Sequence, residues 1–394
     1  MDTLKNATAA ICTFNVKGDP LMKAFARLCG KSKKKAFEAY AELCGILLMS
    51  GKTLSQYLHD MLIYSDSEFI AKCSRECSEL QKSAIECDLE IIVYLSKFSS
   101  KKLKKLLEER FDSKQFGRLP DYECGEFSYT AEYFLEFAAK HGNGMFAQYK
   151  AFSFVGGKLD PIETIDPIRL TDLKNYEAQR EQVVENTICF LNGKPAQNAL
   201  LYGDRGTGKS STVKAILNEF DELRMVELPK NEITGLPALF KMLKDIPLRF
   251  IVTIDDLTFS ESDERFGILK AALEGSISAR PDNILIYATT NRRKIIKETS
   301  AERSGDEISR SDAIDESMSL ADRFGLYVTF SSPNKAVYLD IVKKLADDMD
   351  ITIPEEELFA AAERFAIRKS GRSPRVARQF VDQLSARIAL GMEY

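Results

Sequence analysis

The stretch that most constrains this chain is LLYGDRGTGKSSTVKAIL, residues 200–217. An apolar run leads into a glycine-rich segment, which is followed by a lysine, several hydroxyl residues and a helical pattern. Gly203, Gly208, Lys209 and Ser210 fit the spacing G-x-x-x-x-G-K-[ST] in full. The stretch therefore predicts a buried strand, a phosphate-binding loop and a helix, in that order.

The residue types in this loop suit a nucleoside triphosphate. Glycines permit backbone angles at which several N–H groups point at phosphate oxygens, and the following helix presents its positive end. Lys209 is expected to neutralise the β- and γ-phosphates, and Ser210 to bind Mg²⁺. The predicted binding residues of the loop are Gly203, Asp204, Arg205, Gly206, Thr207, Gly208, Lys209, Ser210 and Ser211.

A second signal is FIVTIDDL, residues 250–257, an apolar strand that ends in two acids. Asp255 is predicted to hold Mg²⁺, usually through water. Asp256 stands where a glutamate often polarises the attacking water. The alternative is a pair of exposed acids that end a loop. Downstream of the phosphate loop, the pattern favours ATP and Mg²⁺ as ligands.

Five short apolar runs predict the strands of one sheet: residues 198–202, 224–228, 250–254, 284–289 and 326–330. Their lack of alternation indicates strands that are buried on both faces, as in a parallel sheet. Helical segments separate the runs, which predicts an α/β fold with a parallel five-stranded sheet.

The rest of the chain predicts flanking helical domains. Residues 1–150 carry apolar residues at helical spacing, and residues 151–165 contain the glycines and prolines of a linker,. The α/β core is predicted over 166–332 and a small helical lid over 333–394. The last lid helix is expected to begin at Ser373, an N-cap residue that is followed by proline,.

With these motifs in this order, the chain from residue 166 onward resembles an AAA+ P-loop ATPase. It is most similar to a bacterial AAA+ family of ATP-binding proteins, through YGDRGTGKSSTVKA, RPDNILIYATTNRR and LADRFGL. The resemblance implies the fold and ATP chemistry, but it does not identify the partner on which the protein acts.

The same resemblance implies roles for further residues. Asn291, in ATTN, matches the polar residue that orients the water, and Arg323 matches the arginine finger that acts on a neighbouring subunit. Arg375 matches the lid arginine, and Leu173 and Tyr176 are the expected adenine contacts. The predicted catalytic set is Lys209, Asp255, Asp256, Asn291, Arg323 and Arg375.

Two departures from the family pattern bear on function. Asp256 replaces the commoner glutamate and reaches about 1.5 Å less far, one carbon–carbon bond, so hydrolysis is expected to be slow or to need a partner. Residues 229–249 have room for little more than one helix and lack the aromatic–apolar–glycine loop of threading unfoldases; Ile233, Thr234 and Gly235 are a poor substitute. The absence of that loop from the sequence favours a protein that acts as a loader, switch or clamp over a threading unfoldase.

Composition limits the partners. With a net charge of −4, the 394-residue chain has no overall basic field, so nucleic acid is possible but unsupported by net charge,. Lysine clusters at 33–35 and 101–105 either touch an acidic partner or form solvated helix faces.

No apolar run approaches the roughly 20 residues that span a bilayer. With no secretion signal evident, a cytoplasmic protein without membrane contact is expected.

These observations predict an AAA+ ATPase that couples ATP binding and hydrolysis to remodelling or loading a macromolecular partner. A homo-oligomer is expected, with an unknown protein partner bound by the N-terminal domain. One alternative is an ATP-binding switch with little turnover, which Asp256 keeps open. Another is a DNA-associated loader, favoured by the lid arginines Arg364, Arg368, Arg372 and Arg378, although nucleotide and subunit contacts explain these charges more simply. The stretch 300–317 is either a regulatory loop or a mobile one.

Overall fold

A computed structural model of the chain describes residues 8–260, 263–274, 280–291, 296–297, 323–369 and 371–392. The chain divides into two compact units. One comprises Met1–Tyr149 and Ile246–Leu248, and the other comprises Lys150–Asp245 and Arg249–Tyr394. The stretch 300–317 lies outside the described residues.

The first unit is mainly helical in its described part, although residues 119–130 form no helix. Ser32, Thr53 and Ser78 each precede a helix and accept a hydrogen bond from a backbone N–H in its first turn,. Tyr40 and Phe116 are fully buried in its apolar core. The helices are α1 (Pro20–Leu28), α2 (Lys33–Ser50), α3 (Leu54–Ile63), α4 (Glu68–Cys73), α5 (Glu79–Ser96), α6 (Ser100–Phe111), α7 (Ala131–His141) and α8 (Met145–Gln148), with a 3-10 turn at Lys114–Arg118.

The second unit is built on a seven-stranded sheet in the order β2-β1-β4-β5-β7-β3-β9. Only β2 runs antiparallel to its neighbour in this sheet. Its strands are β1 (Ala151–Val155), β2 (Lys158–Pro161), β3 (Ala199–Gly203), β4 (Leu223–Glu227), β5 (Arg249–Ile254), β7 (Ile284–Thr290) and β9 (Leu326–Phe330). Two short strands, β6 (Phe259–Ser260) and β8 (Ile296–Lys297), pair separately.

The five predicted strands are confirmed as β3, β4, β5, β7 and β9, and all five are parallel. The sheet has seven strands rather than five, because β1 and β2 occupy residues for which a linker is predicted. Gly156 and Gly157 both have positive φ, of 57° and 77°, which suits a tight two-residue hairpin turn,. The glycines therefore mark a turn between paired strands and not a flexible connection.

Helices connect the core strands and place the carboxyl ends of β3, β5 and β7 at one edge of the sheet, next to each other. They are α9 (Glu177–Leu191), α10 (Lys209–Glu219), α11 (Leu236–Leu243) and α12 (Glu264–Glu274), with 3-10 turns at Leu170–Asp172 and Lys230–Gly235. The segment between β4 and β5 holds one short helix, as predicted. Ile233 is fully buried there.

Three helices follow the sheet: α13 (Lys335–Asp347), α14 (Glu355–Arg368) and α15 (Pro374–Ala389). They share an apolar core in which the rings of Phe365 and Phe380 lie 5.6 Å apart. The predicted N-cap is confirmed, since Ser373 Oγ accepts a hydrogen bond from Val376 N over 3.2 Å. No helix in the described ranges is long and apolar enough to cross a membrane.

Candidate functional site

The glycine-rich loop joins the end of β3 to the start of α10. Gly203 has a φ of 144°, and a Cβ at this position would lie 1.9 Å from the carbonyl oxygen of Phe330 on β9. Only glycine fits where the two strands come this close. Gly208 then precedes α10 and offers no side chain to cap it, so the first N–H groups of the helix remain available to an anion,.

Lys209 lies at the centre of the site and is 5% exposed. Its Nζ donates to the carbonyl oxygens of Gly203 over 2.8 Å and Asp204 over 2.7 Å, and to Asn291 Oδ1 over 2.9 Å. Burial lowers the pKa of Lys209, while the acids Asp204, Asp255 and Asp256 oppose that shift. Three oxygens thus hold the ammonium group at the mouth of the loop.

Ser210 and Asp255 come together as a pair of hard oxygen ligands. Ser210 Oγ donates to Asp255 Oδ1 over 2.6 Å, and Thr289 Oγ1 on β7 donates to the same carboxylate oxygen. Mg²⁺ prefers such hydroxyl and carboxylate oxygens, usually completed by waters and phosphate. The donor chemistry of Ser210 and Asp255 therefore fits the ion that the sequence predicts for them.

Asp256 is held from two sides. Asn291 Nδ2 donates to Asp256 Oδ1 over 2.8 Å, and Asp256 N donates to Thr289 Oγ1 over 3.1 Å. The backbone of Asp256 is left-handed, with a φ of 51°, which is uncommon for a residue other than glycine,. Asn291 therefore bridges Lys209 and Asp256 with the two ends of one amide.

A cavity of about 870 Å³ adjoins this cluster. It is lined by the loop residues from Arg205 to Thr212, by Asp255, Asp256 and Asn291, by the segment before α9 and by the lid. Leu173 and Tyr176, for which contacts to the adenine are predicted, both line it. Tyr176 Oη donates to Ser331 O over 2.6 Å, and burial is the main cause that raises the pKa of Tyr176 to about 12.

The predicted lid arginine also reaches the loop. Arg375 lines the cavity, and its backbone N donates to Gly206 O over 3.1 Å. Gly203 and Asp204, the first two residues of the loop, do not line the cavity. The Asp204 carboxylate instead accepts a hydrogen bond from Ser332 N over 2.9 Å.

Arg323 is the one predicted catalytic residue outside this cluster. It does not line the cavity, and its guanidinium pairs with Glu274 at the end of α12. A simpler role for Arg323 is an ion pair with Asp322, which lies outside the described residues, or with a lid acid. The observed acid belongs to a core helix instead.

Sequence reasoning missed several residues of the site, and Thr289, Arg180 and Gln379 are three of them. Thr289 binds both acids, and its only sequence signal is its place in ATTN beside Asn291. Arg180 lines the cavity and donates to Asn175 O, and burial lowers its pKa. Gln379, on α15, also lines the cavity. These side chains reach the site through tertiary contacts, which the local sequence pattern does not predict.

A parallel core ordered β4-β5-β7-β3-β9, with a glycine-rich loop after β3 and a helical lid against that loop, defines a P-loop protein of the AAA+ class,. Within that class the chain belongs to the family described as protein of unknown function DUF815, whose model matches residues 147–388. This match confirms the resemblance inferred from the motifs.

Other similarities are partial. The large subunit of replication factor C from Staphylothermus marinus is 38% identical over 63 residues, which are 16% of this chain and 15% of that protein. Two structures of RuvB variants from Thermotoga maritima are 16% and 15% identical, with TM-scores of 0.41 and 0.38. Each covers 57% of this chain, which spans 66% of the RuvB chain.

Proposed function

We propose that this protein is a Mg²⁺-dependent ATPase that couples ATP binding and hydrolysis to remodelling or loading a macromolecular partner. The observation that carries the proposal is the convergence of Lys209, the Ser210–Asp255 pair and the Asp256–Asn291 pair at one cavity. The cavity is large enough for a nucleotide, since ligand sites usually enclose about 300–1,000 Å³.

The roles follow from the contacts. Lys209 and the N–H groups of the loop bind the β- and γ-phosphates, and Ser210 and Asp255 hold the metal ion. Bound Mg²⁺ would neutralise charge on the phosphates. Asp256 orients and deprotonates the attacking water, with its carboxylate positioned by Asn291,. Leu173 and Tyr176 contact the adenine, and Arg375 approaches from the lid.

An ATP-binding switch with little turnover is the second candidate. Asp256 has a shorter side chain than glutamate, and the Asn291 amide engages one of its carboxylate oxygens. Both features favour slow hydrolysis. Measured turnover in the assembled protein decides between the two candidates.

The described lid arginines give little support to a DNA-loading role. Arg372 forms two hydrogen bonds to Glu363, of 2.9 and 2.7 Å. Arg378 lines the nucleotide cavity and donates to Asp172 O over 3.4 Å, and Arg368 Nε donates to Arg364 O over 3.4 Å. These contacts favour a nucleotide and lid role for the arginines.

ATP binding tests the site assignment directly. Lys209→Ala removes the cation that meets the phosphates, so calorimetry should show that Mg·ATP binding is lost. Lys214→Ala is the matched control on the same helix, since its side chain is 58% exposed and does not line the nucleotide cavity. Equal ATP affinity in the wild type and in Lys209→Ala would refute the assignment.

A further inference from the structure

A strongly cationic surface lies on the first unit, where two distant segments of the chain meet. Residues 20–37 and 110–118 contain nine lysines and arginines and one acid, Asp112. We call these two segments together the cationic surface. The overall charge of −4 conceals it, because acids elsewhere offset the excess.

Packing brings the two segments together. The Arg110 guanidinium donates to Cys29 O over 3.0 Å and to Leu28 O over 3.5 Å, which ties the end of α6 to the end of α1. The rings of Phe37 on α2 and Phe116 on the 3-10 turn lie 4.1 Å apart. The lysines at the start of α2 therefore share one surface with the cations of residues 110–118, which are Arg110, Lys114 and Arg118.

Most of these cations are exposed and available to a partner. Lys33 and Lys35 are exposed and have no ion pair within the described residues. Lys34 has only a long pair with Glu38, at 3.9 Å, and Arg27 pairs with Glu42. Glu108 also contacts the surface, since its Oε1 accepts a hydrogen bond from Gly117 N over 2.9 Å. Nine cations against Asp112, Glu38, Glu42 and Glu108 still leave a local excess of positive charge.

The position of three of the lysines is unfavourable for the helix that carries them. Lys33, Lys34 and Lys35 form the first turn of α2, which contains no acid. Cations at this end of a helix oppose its dipole, whereas an anion placed there is stabilised by the same dipole. Three lysines at this position therefore destabilise the isolated helix, whereas the same lysines would stabilise an anion bound beside them.

The chemistry of the surface favours one class of polyanion. None of the large apolar side chains in residues 20–37 or 110–118, all of which are described, is strongly exposed, so the surface offers no apolar anchor for a membrane or an apolar protein face. Lysine, the commonest cation in it, acts as a point charge that suits phosphate oxygens and lacks the planar fork with which arginine reads a base edge,. We propose that the cationic surface binds the phosphodiester backbone of nucleic acid without sequence preference.

This inference deepens the proposed remodelling function. It rests on that function only for the purpose that the binding would serve, because binding to the surface itself is measured without ATP. The partner contacted by the first unit would then be a nucleic acid. Failure of the ATPase proposal and failure of this one are therefore separate observations.

The test uses the full chain and fluorescein-labelled DNA duplexes of about 30 base pairs in two unrelated sequences. Binding is measured by fluorescence anisotropy at salt concentrations between about 50 and 200 mM. The variant Lys33→Gln/Lys34→Gln/Lys35→Gln should bind both duplexes at least about tenfold more weakly. The slope of log K against log salt should fall by about 0.9 per lysine, or about 2.7 in all. Its thermal stability should be unchanged or higher.

The matched control is Lys17→Gln/Lys72→Gln/Lys140→Gln, which removes the same charge from exposed positions outside the surface and should bind like the wild type. Absence of binding by the wild type at the lowest salt would overturn the proposal. Equal weakening in both triple variants would also overturn it. Tighter binding to polyglutamate or to vesicles of anionic phospholipid, dependent on the same lysines, would assign the surface to another class of partner.

Discussion

At the scale of single residues, Thr289 connects the two acids of the site. Its hydroxyl donates to Asp255 and accepts from the backbone N–H of Asp256. Because both acids follow β5 and Thr289 is the second-last residue of β7, one side chain fixes the geometry between neighbouring strands. We infer that it positions both acids, and it also lines the cavity.

Replacing Thr289 by the similarly shaped valine removes this connection. Hydrogen bonds to charged groups contribute about 1.5–3 kcal/mol, so Thr289→Val should weaken Mg·ATP binding about tenfold or more. Calorimetry across a range of Mg²⁺ concentrations measures the loss. Thr289→Ser keeps the hydroxyl and should restore most of the affinity; a serine variant as weak as the valine variant would argue for a packing effect instead.

Asp256 carries the predicted chemistry. Asp256→Asn keeps the shape of the side chain, so it should bind ATP normally but hydrolyse it at least about a hundredfold more slowly, the usual effect of losing a general base. Steady-state phosphate release measures the rate. Asp256→Glu, which restores the commoner residue, shows whether reach limits the rate. An unchanged rate in Asp256→Asn would place the base elsewhere.

At the scale of elements, the cap of α15 supports both the lid and the loop. Ser373 Oγ caps the helix, and a Cβ at Gly206 would lie 2.9 Å from that oxygen. Ser373→Ala should cost about 1 kcal/mol, typical of a lost N-cap, and amide exchange in the first turn of α15 should accelerate about fivefold. Ser373→Asp retains a capping oxygen and should behave like the wild type. Unaltered exchange in the alanine variant would contradict this role.

The sequence predicted elements well where they are buried on both faces. All seven residues of β7 are buried, and its continuous apolar run identifies it without further information,. The hairpin β1–β2 escaped prediction because its turn has the glycines of a linker and because β2, at the edge of the sheet, is mostly exposed. The spacing of the loop and the acids predicted residues 205–211, Asp255 and Asp256, which the structure brings together at the cavity. Arg180 and Thr289 could not be identified, because only folding brings them to it.

At the scale of the whole molecule, activity is predicted to need a second copy. Arg323 lies just before β9, outside the cavity of its own chain, and an arginine finger that acts on a neighbouring subunit would be placed in this way. Such a residue stabilises charge on the γ-phosphate and accounts for about a thousandfold or more in rate.

Arg323→Ala should therefore bind ATP but lose hydrolysis, and mixing it with Lys209→Ala protein should restore part of the activity. Specific activity should also rise with protein concentration. Glu274→Gln removes the same ion pair but keeps the guanidinium, so it should retain hydrolysis. Sedimentation that shows a monomer in saturating ATP, with specific activity independent of concentration, would exclude a trans-acting arginine.

The hydrogen bond from Arg375 N to Gly206 O has a mechanical consequence. It joins the first turn of α15 directly to the glycine-rich loop, with no side chain between them. A rotation of the lid must therefore either break this bond or drag the loop with it. We infer that a phosphate bound in the loop would shift Gly206 and, through this bond, the first turn of α15. The angle of the three-helix lid would then depend on which nucleotide is bound.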